Sequence, residues 1–391
     1  MQRNTQIKPD VLVEEETLRQ YRADRYYPVN IGDVFRDQYK IIAKLGFGSA
    51  STVWLCKNQE DHGSYAALKV YVNSSKFHRE LPIYEHISSL KSEHEGENHV
   101  RRLLDSFEVI GPNGKHICLV HEPLGMSFND LRRLIPTKVF DEELLRQTMR
   151  PIIKGLQFLH GEAGVIHTDL QPNNMLMGVV DDSPFRRIEI DEANDPLPRK
   201  QLSDRTIHVS RHMPLTNGAP SITDLSEARF GDSLHSDLIM PNVYRAPEVI
   251  LNMPWSYPVD IWAIAISVWD LFEPSRLFKA KGAEGEYSEH HHLAQMIAIM
   301  GPPPRDFLKR SERCDRFWRA DGSWKGEVPI PELSLEGSEQ RLKGKSQEMF
   351  LAWIRQMLQW RPEDRSNCED IFHDEWLLAD LIESGEVVPA E

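Results

Sequence analysis

Val165-Ile166-His167-Thr168-Asp169-Leu170-Gln171-Pro172-Asn173-Asn174-Met175-Leu176 carries its apolar residues at both ends and its polar ones in the middle. That arrangement suits a loop tied down at each end by core contacts while His167, Asp169 and Asn174 face a cleft. Taken alone, a His, an Asp two residues on and an Asn five after that describe an ordinary polar loop as well as a reactive one. The choice depends on what lies to either side, and in what order.

Working outward toward the N-terminus, Gly46-Phe47-Gly48-Ser49-Ala50-Ser51-Thr52-Val53 falls between two stretches with strand character, Y-K-I-I-A-K-L from Tyr39 and T-V-W-L-C from Thr52. A glycine-bearing turn between two strands, rather than between a strand and a helix, argues against a dinucleotide fingerprint or a P-loop. Glycines there let backbone N–H groups approach anionic oxygens closely; by itself the turn is equally well a plain hairpin. Lys69 ends Ala66-Ala67-Leu68-Lys69 on the next strand, Tyr65 to Val72, and Glu80, or failing it Glu85, lies on a helix expected from Arg79 to Leu90, with Pro82 tolerable only in its first turn. Toward the C-terminus come Asp224-Leu225-Ser226, then Tyr244-Arg245-Ala246-Pro247-Glu248, then Asp260-Ile261-Trp262, then Arg361-Pro362-Glu363-Asp364-Arg365. Each has a bland reading as turn, cap or surface charge. The whole set in one order does not.

The chain's 391 residues suffice for one large two-lobed domain or two ordinary ones, and 40% hydrophobic with 27% charged residues is a globular composition. A net charge of −14 weighs against direct nucleic-acid contact and fits a basic partner no better than it fits simple solubility. Cys56, Cys118, Cys314 and Cys368 are scattered without metal-ligand spacing, which predicts reduced thiols and no zinc site. The N-terminus lacks a signal-peptide core. The run Val259 to Phe272 is too short to span a bilayer and contains Asp260 and Asp270, so it predicts a buried helix and no membrane association.

Strands are expected again at Val100–Ile110 and His116–His121 around the turn G-P-N-G, and a helix at Glu142–Gly161 from its stripe of Leu144, Leu145, Met149, Ile152, Ile153, Leu156 and Leu159. Periodicity fails from Asp181 to Pro220, predicting a loop-rich insertion, and helices dominate beyond Glu248. Residues 1–25 read as a mobile arm and 378–391 as a tail. The pattern is α+β: a strand-rich part with one main helix meets a helix-rich part near residue 124.

This set of motifs resembles that of the eukaryotic protein kinases over residues 39–377, and within them the SR-protein kinases. The resemblance rests on I-G-D-V-F (31–35), S-T-V-W-L (51–55), H-I-C-L-V-H-E-P-L-G (116–125), Thr168 in H-T-D, D-L-S in place of D-F-G, a spacer between Asn174 and Asp224, and Leu293–Pro304 ending M-G-P-P-P. It implies a two-lobed kinase fold with an N-lobe at 39–121, a hinge at 122–125, a C-lobe at 126–377 and a short spacer at about 181–220. It implies ATP and Mg²⁺ as cofactors. Asp169 would be the base and Asn174 and Asp224 the metal ligands, with Lys69 and Glu80 clamping phosphate. Leu45, Gly46, Gly48, Ser51 and Val53 would cover the nucleotide, and Ser51 stands where the third glycine is usual. The adenine edge would meet the Glu122 C=O and Leu124 N–H beside His121, and Glu248 would form a buried ion pair with Arg365.

The implied activity is transfer of the ATP γ-phosphate to serines of Arg/Ser-rich splicing-factor proteins by a monomer in cytoplasm and nucleus, and so regulation of mRNA processing. With Thr168 replacing the arginine that reads an activation-loop phosphate, activity without such phosphorylation is implied. Gln171 in place of a lysine, Ser226 in place of a glycine that takes φ > 0 and Ala50 in place of a bulky lid residue depart from the family. They keep open a second reading, a weak or inactive kinase fold that holds basic partners. A small-molecule kinase fits poorly with Ala246-Pro247-Glu248 and Arg365.

Overall fold

A computed structural model describes residues 6–73 and 79–388. It divides into two compact units: Met1–Ser89 with Arg101–Met126 and Leu176–Ala219, and Leu90–Val100 with Ser127–Met175 and Pro220–Glu391.

The first unit is built on an antiparallel sheet of β1 (Val34–Phe35), β2 (Tyr39–Phe47), β3 (Ser51–Asn58), β4 (Tyr65–Tyr71), β5 (Leu103–Gly111) and β6 (Gly114–His121), in the order β1-β2-β3-β4-β6-β5. Alternation along the strands sorts side chains onto two faces. Trp54 and Cys56 of β3 with Ala66, Leu68 and Val70 of β4 join Ile41, Tyr39, Cys118 and Val120 in one cluster, which Val29, Phe35, Tyr27 and Ile31 cover from the N-terminal side. Val53 and Leu55, with Lys69 and Ala67 opposite them, point to the other face. There Leu55 packs with Ile42, Ala43 and Tyr65 against Phe185 and Ile188 of the helix Ser183–Asn194. Both faces being covered, every residue of β4 is buried.

Helix α1 (Glu80–Ser89) buries Glu80, Ile83, Tyr84 and Ile87, the i, i+3, i+4, i+7 stripe of one helical face. Pro82 is in its first turn, where the missing N–H has no helical partner to lose.

Two sequence expectations fail in this unit. The arm expected to be mobile over 1–25 is docked from Gln6, which bridges to Arg199; residues 1–5 lie outside the described residues. Its Glu14-Glu15-Glu16 run is not solvated surface. Lys44 of β2, with no side-chain exposure, sits between Glu15 and Glu14 and donates to the His208 carbonyl at 3.1 Å; Lys200 grips Glu16 at 2.9 Å and donates to the Val11 carbonyl. The stretch 181–220 is not a loop but a helix and a hairpin (Arg199–Gln201 with Thr206–His208), and it clusters with the sheet rather than with the C-terminal helices. The polar stretches that broke its periodicity include the helix start at Asp181-Asp182-Ser183-Pro184 and the connection 195–198; the buried apolar signal is only Phe185 and Ile188, too sparse to see without the surface they cover.

In the second unit the helix Glu142–Gly161 is capped by Asp141, whose carboxylate accepts from the Leu144 N–H at 2.8 Å, and buries Leu145, Met149, Ile152, Ile153, Leu156 and Leu159. The helix Pro258–Phe272 is buried from Val259 to Phe272, both aspartates included. The expected tail from 378 begins inside a helix, Glu375–Ser384, which Trp376 anchors against Phe350 and Trp353; residues 389–391 lie outside the described residues. Among the described residues no helix is long and apolar enough to cross a membrane.

The Lys44 site gives a stability prediction. Lys44→Met leaves Glu15 buried beside no cation, and such a half-broken pair costs about 3–5 kcal/mol. Urea unfolding should show that loss, and adding Glu15→Leu should recover most of it. A single-mutant loss below about 1 kcal/mol would mean the pair is not desolvated as described.

Candidate active site

In the first unit, β2 and β3 flank the turn at Gly48–Ala50, closed by the Gly48 N–H on the Ser51 carbonyl at 2.8 Å. A Cβ placed on Gly46 or Gly48 would meet nothing within 4 Å, so packing does not demand glycine at either place. Across the β3–β4 pair Val53 lies opposite Lys69 and Ser51 opposite Tyr71, and Leu45 rests against the cluster that includes Phe185. The Lys69 ammonium is 2.7 Å from the Glu80 carboxylate, both nearly shut off from solvent; Glu85, a turn later, is exposed. His121 at the end of β6 is buried with its ring 5.0 Å from that of Tyr84.

The connection after β6 is less open than the sequence implies. The Glu122 carbonyl already accepts from Arg101 Nε at 3.0 Å, leaving its second lone pair, and the Glu122 carboxylate accepts from the Arg102 N–H at 2.9 Å. Among the described residues the buried Leu124 N–H has no protein acceptor. The Gly125 N–H donates to the Met177 carbonyl at 2.7 Å, and a side chain at 125 would collide with Thr216 Oγ1, which explains the glycine.

In the second unit, the loop is organised by Asp260. Its Oδ1 accepts from the Thr168 N–H (2.8 Å) and its Oδ2 from the His167 N–H (2.7 Å), with His160 Nε2 at 2.9 Å. Thr168 is held at φ 66°, costly for a β-branched residue, and its hydroxyl donates to the Glu227 carbonyl at 2.6 Å. The Asp169 carboxylate accepts from Gln171 Nε2 (2.8 Å) and from Asn174 Nδ2 (2.9 Å), which also binds the Asp169 carbonyl (2.8 Å). Burial pushes the Asp169 carboxyl up to about 6; His167 and these amides oppose that shift while the Asp224 carboxylate adds to it.

With its amide nitrogen turned to Asp169, Asn174 could offer its oxygen to a cation, and Asp224 could offer a second hard oxygen. Among the described residues no cluster of three or more His, Cys, Asp or Glu side chains is placed to hold a metal unaided. Magnesium needs none, because one or two protein oxygens serve alongside phosphate and water.

Ser226 does not carry the strain its replacement of glycine suggests. It lies in the short turn Leu225–Glu227, and the left-handed residue is Asp224 (φ 63°), a type that tolerates this region. Glu248 and Arg365 form a bidentate pair, 2.6 Å on each arm and almost without exposure, under which the guanidinium also reaches the Pro258 and Gln359 carbonyls.

Sequence reasoning missed Tyr71. Its hydroxyl donates to the same Glu80 oxygen that Lys69 contacts, and its ring lies 5.1 Å from the Lys69 ammonium. The signal was available: Tyr71 is two residues beyond Lys69 on one strand and so shares its face.

The chain matches the family model described as protein kinase domain over residues 39–377. A serine/threonine protein kinase of Aspergillus fumigatus is 41% identical over 94% of this chain and 92% of its own length. A serine/threonine-protein kinase SRPK of Physarum polycephalum is 29% identical over 91% of this chain and 90% of its own. Among solved structures, a crystallised kinase domain superposes with a TM-score of 0.69 at 22% identity, covering 90% of this chain and 98% of that one, a likeness of fold. The motif order, the two-part α+β architecture and these relatives together place the chain in the protein kinases, as a serine/threonine kinase that resembles the SR-protein kinases.

Proposed function

We propose that this kinase transfers the γ-phosphate of ATP to serines in Arg/Ser-rich proteins of the splicing-factor type, and so acts in mRNA processing in cytoplasm and nucleus. The observation that carries the catalytic half is the Asp169 carboxylate, fixed by two amides and backed by a loop whose backbone is pinned to Asp260. A carboxylate so placed accepts the proton of an attacking serine hydroxyl without first having to reorganise. Mg²⁺, when bound with ATP, draws charge from the β- and γ-phosphates. Asn174 and Asp224 would hold it, and Lys69, kept in place by Glu80 and Tyr71, would meet the α- and β-phosphates. The lid at Gly46–Val53 lays backbone N–H groups over the phosphates, and the Leu124 N–H and Glu122 C=O take the adenine edge. The substrate half is supported by the Physarum relative, a kinase named SRPK, and the net charge of −14 is compatible with a basic chain.

A second reading rests on Gln171. Its amide occupies the Asp169 oxygen where a lysine would bring a cation, and a kinase fold without that cation serves as a holder of Arg-rich partners.

Mg-ATP phosphorylation of an Arg-Ser repeat peptide beside a Lys-Ser control separates the two. Transfer to the Arg-Ser peptide alone, lost in Asp169→Ala, is the expected result. Transfer to both peptides removes the Arg-Ser specificity, and binding without transfer leaves the holder. Gln171→Lys should raise kcat on the order of tenfold or more, with little change in KM for ATP, because an electrostatic stabiliser acts on the transition state. A kcat at or below that of the unaltered enzyme would show that the amide already fills that role.

A further inference from the structure

Residues 11–26 precede the kinase-domain match at 39–377 yet touch the glycine-bearing turn at both its root and its tip. At the root, Lys44, two residues before Gly46 on β2, is seated between Glu14 and Glu15. At the tip, the Tyr26 hydroxyl donates to the Gly48 carbonyl at 2.9 Å and lies 3.2 Å from the Ser49 carbonyl.

Tyr26 is buried, and its own backbone is fixed from two sides. Arg205 of the hairpin donates to the Ala23 and Tyr26 carbonyls. Asn73, just beyond β4, gives its N–H to the Arg25 carbonyl at 2.9 Å and its side-chain amide to the Asp24 carbonyl at 2.8 Å. The Tyr21 ring, 5.2 Å away, lies against that of Tyr26. A tyrosine held this firmly is a fixed post, and the turn it grips has no side chain at Gly46 or Gly48 to pack it otherwise.

We propose that Val11–Tyr26 is a strap that holds the nucleotide lid in place, with Tyr26 as the positioning residue at the lid's tip. The strap acts by sparing ATP the ordering of the lid. A hinged glycine turn samples many conformations, and binding a nucleotide under it costs the entropy of selecting one. With the Gly48 and Ser49 carbonyls turned toward the Tyr26 hydroxyl, the backbone there is fixed before nucleotide arrives. The insertion shares in this through Arg205 and through Lys200 on Glu16. The proposal rests on reading Gly46–Val53 as the nucleotide cover.

Tyr26→Phe on the full chain removes only the hydroxyl and keeps the ring, so folding is not at stake. Two quantities are read: hydrogen exchange of the amides at 46–51, and the Kd for MgADP by calorimetry. Exchange in the lid should quicken and MgADP should bind about three- to tenfold more weakly, the scale of one hydrogen bond, with kcat at saturating ATP within about twofold. Unchanged exchange overturns the strap, whatever happens to affinity. Faster exchange with unchanged affinity keeps the contact but overturns its role, whereas amides at 46–51 that MgADP does not protect in the unaltered enzyme remove the assignment of Gly46–Val53 as the nucleotide cover.

Discussion

A carboxylate buried without exposure in the first turn of an apolar helix is expensive unless it is hydrogen-bonded, and Asp260 is bonded chiefly to backbone. The His167 and Thr168 N–H groups and the His160 ring converge on it. That arrangement sets the direction of the chain at the point where Thr168 is forced to a positive φ, and so determines where Asp169 presents its side chain. From Asp169 the ordering passes through Asn174, whose carbonyl receives the Thr223 N–H at 2.9 Å, and His167 Nε2 reaches the Thr223 carbonyl at 3.0 Å. Thr223 adjoins Asp224. One desolvated acid thus orients both the proposed base and, two hydrogen bonds away, the neighbour of a proposed metal ligand. The strain at Thr168 persists because the surrounding bonds over-determine it.

The same economy of means appears in the first unit with the signs exchanged. There the buried charge is Lys44, and with Lys200 it organises the N-terminal segment through the acidic run at 14–16. Lys69 with Glu80 is a third instance. In each case the pair adds little net stability over an apolar replacement, yet losing one member leaves a charge in the dark. Such pairs fix register and direction, and here all three sit at or next to residues proposed to bind nucleotide or substrate.

What was legible in the sequence follows from the range of the forces involved. β2, β3 and β4 announced themselves through β-branched and aromatic bias about a glycine turn, and the helix Glu142–Gly161 through its apolar stripe, both local. Asp260 was visible as a charge inside an apolar run, a contradiction that a folded chain must resolve. Its partners were not, because they are backbone groups far off in sequence. The arm at 6–25 reads as solvated polar chain since its glutamates find lysines only after Lys44 and Lys200 have been brought near by β2 and the hairpin. The insertion failed for a related reason. Twelve residues of helix with Phe185, Ile188 and Glu192 as the buried ones give a weak stripe, and only the patch of Ile42, Leu55 and Tyr65 that it buries makes it worth forming.

Those two misread segments share a consequence for the rest of the unit. A twisted sheet with one apolar face covered still leaves the other to be closed, and β2 and β3 carry Ile42, Ala43 and Leu55 on the face that also holds Lys69. The insertion helix closes the outer part of that face while the N-terminal segment closes the opposite one with Tyr27, Val29 and Ile31. Neither element stands alone: the hairpin after the helix supplies Lys200 and Arg205, which bind the N-terminal segment, and Arg211 beyond it bonds both Glu192 and, through its N–H, the Lys44 carbonyl. The strands that bear the glycine turn are therefore enclosed on both faces by chain that comes from outside or from within the family-length core. A lid set in such a frame has its freedom confined to the turn itself, where glycine places no side chain.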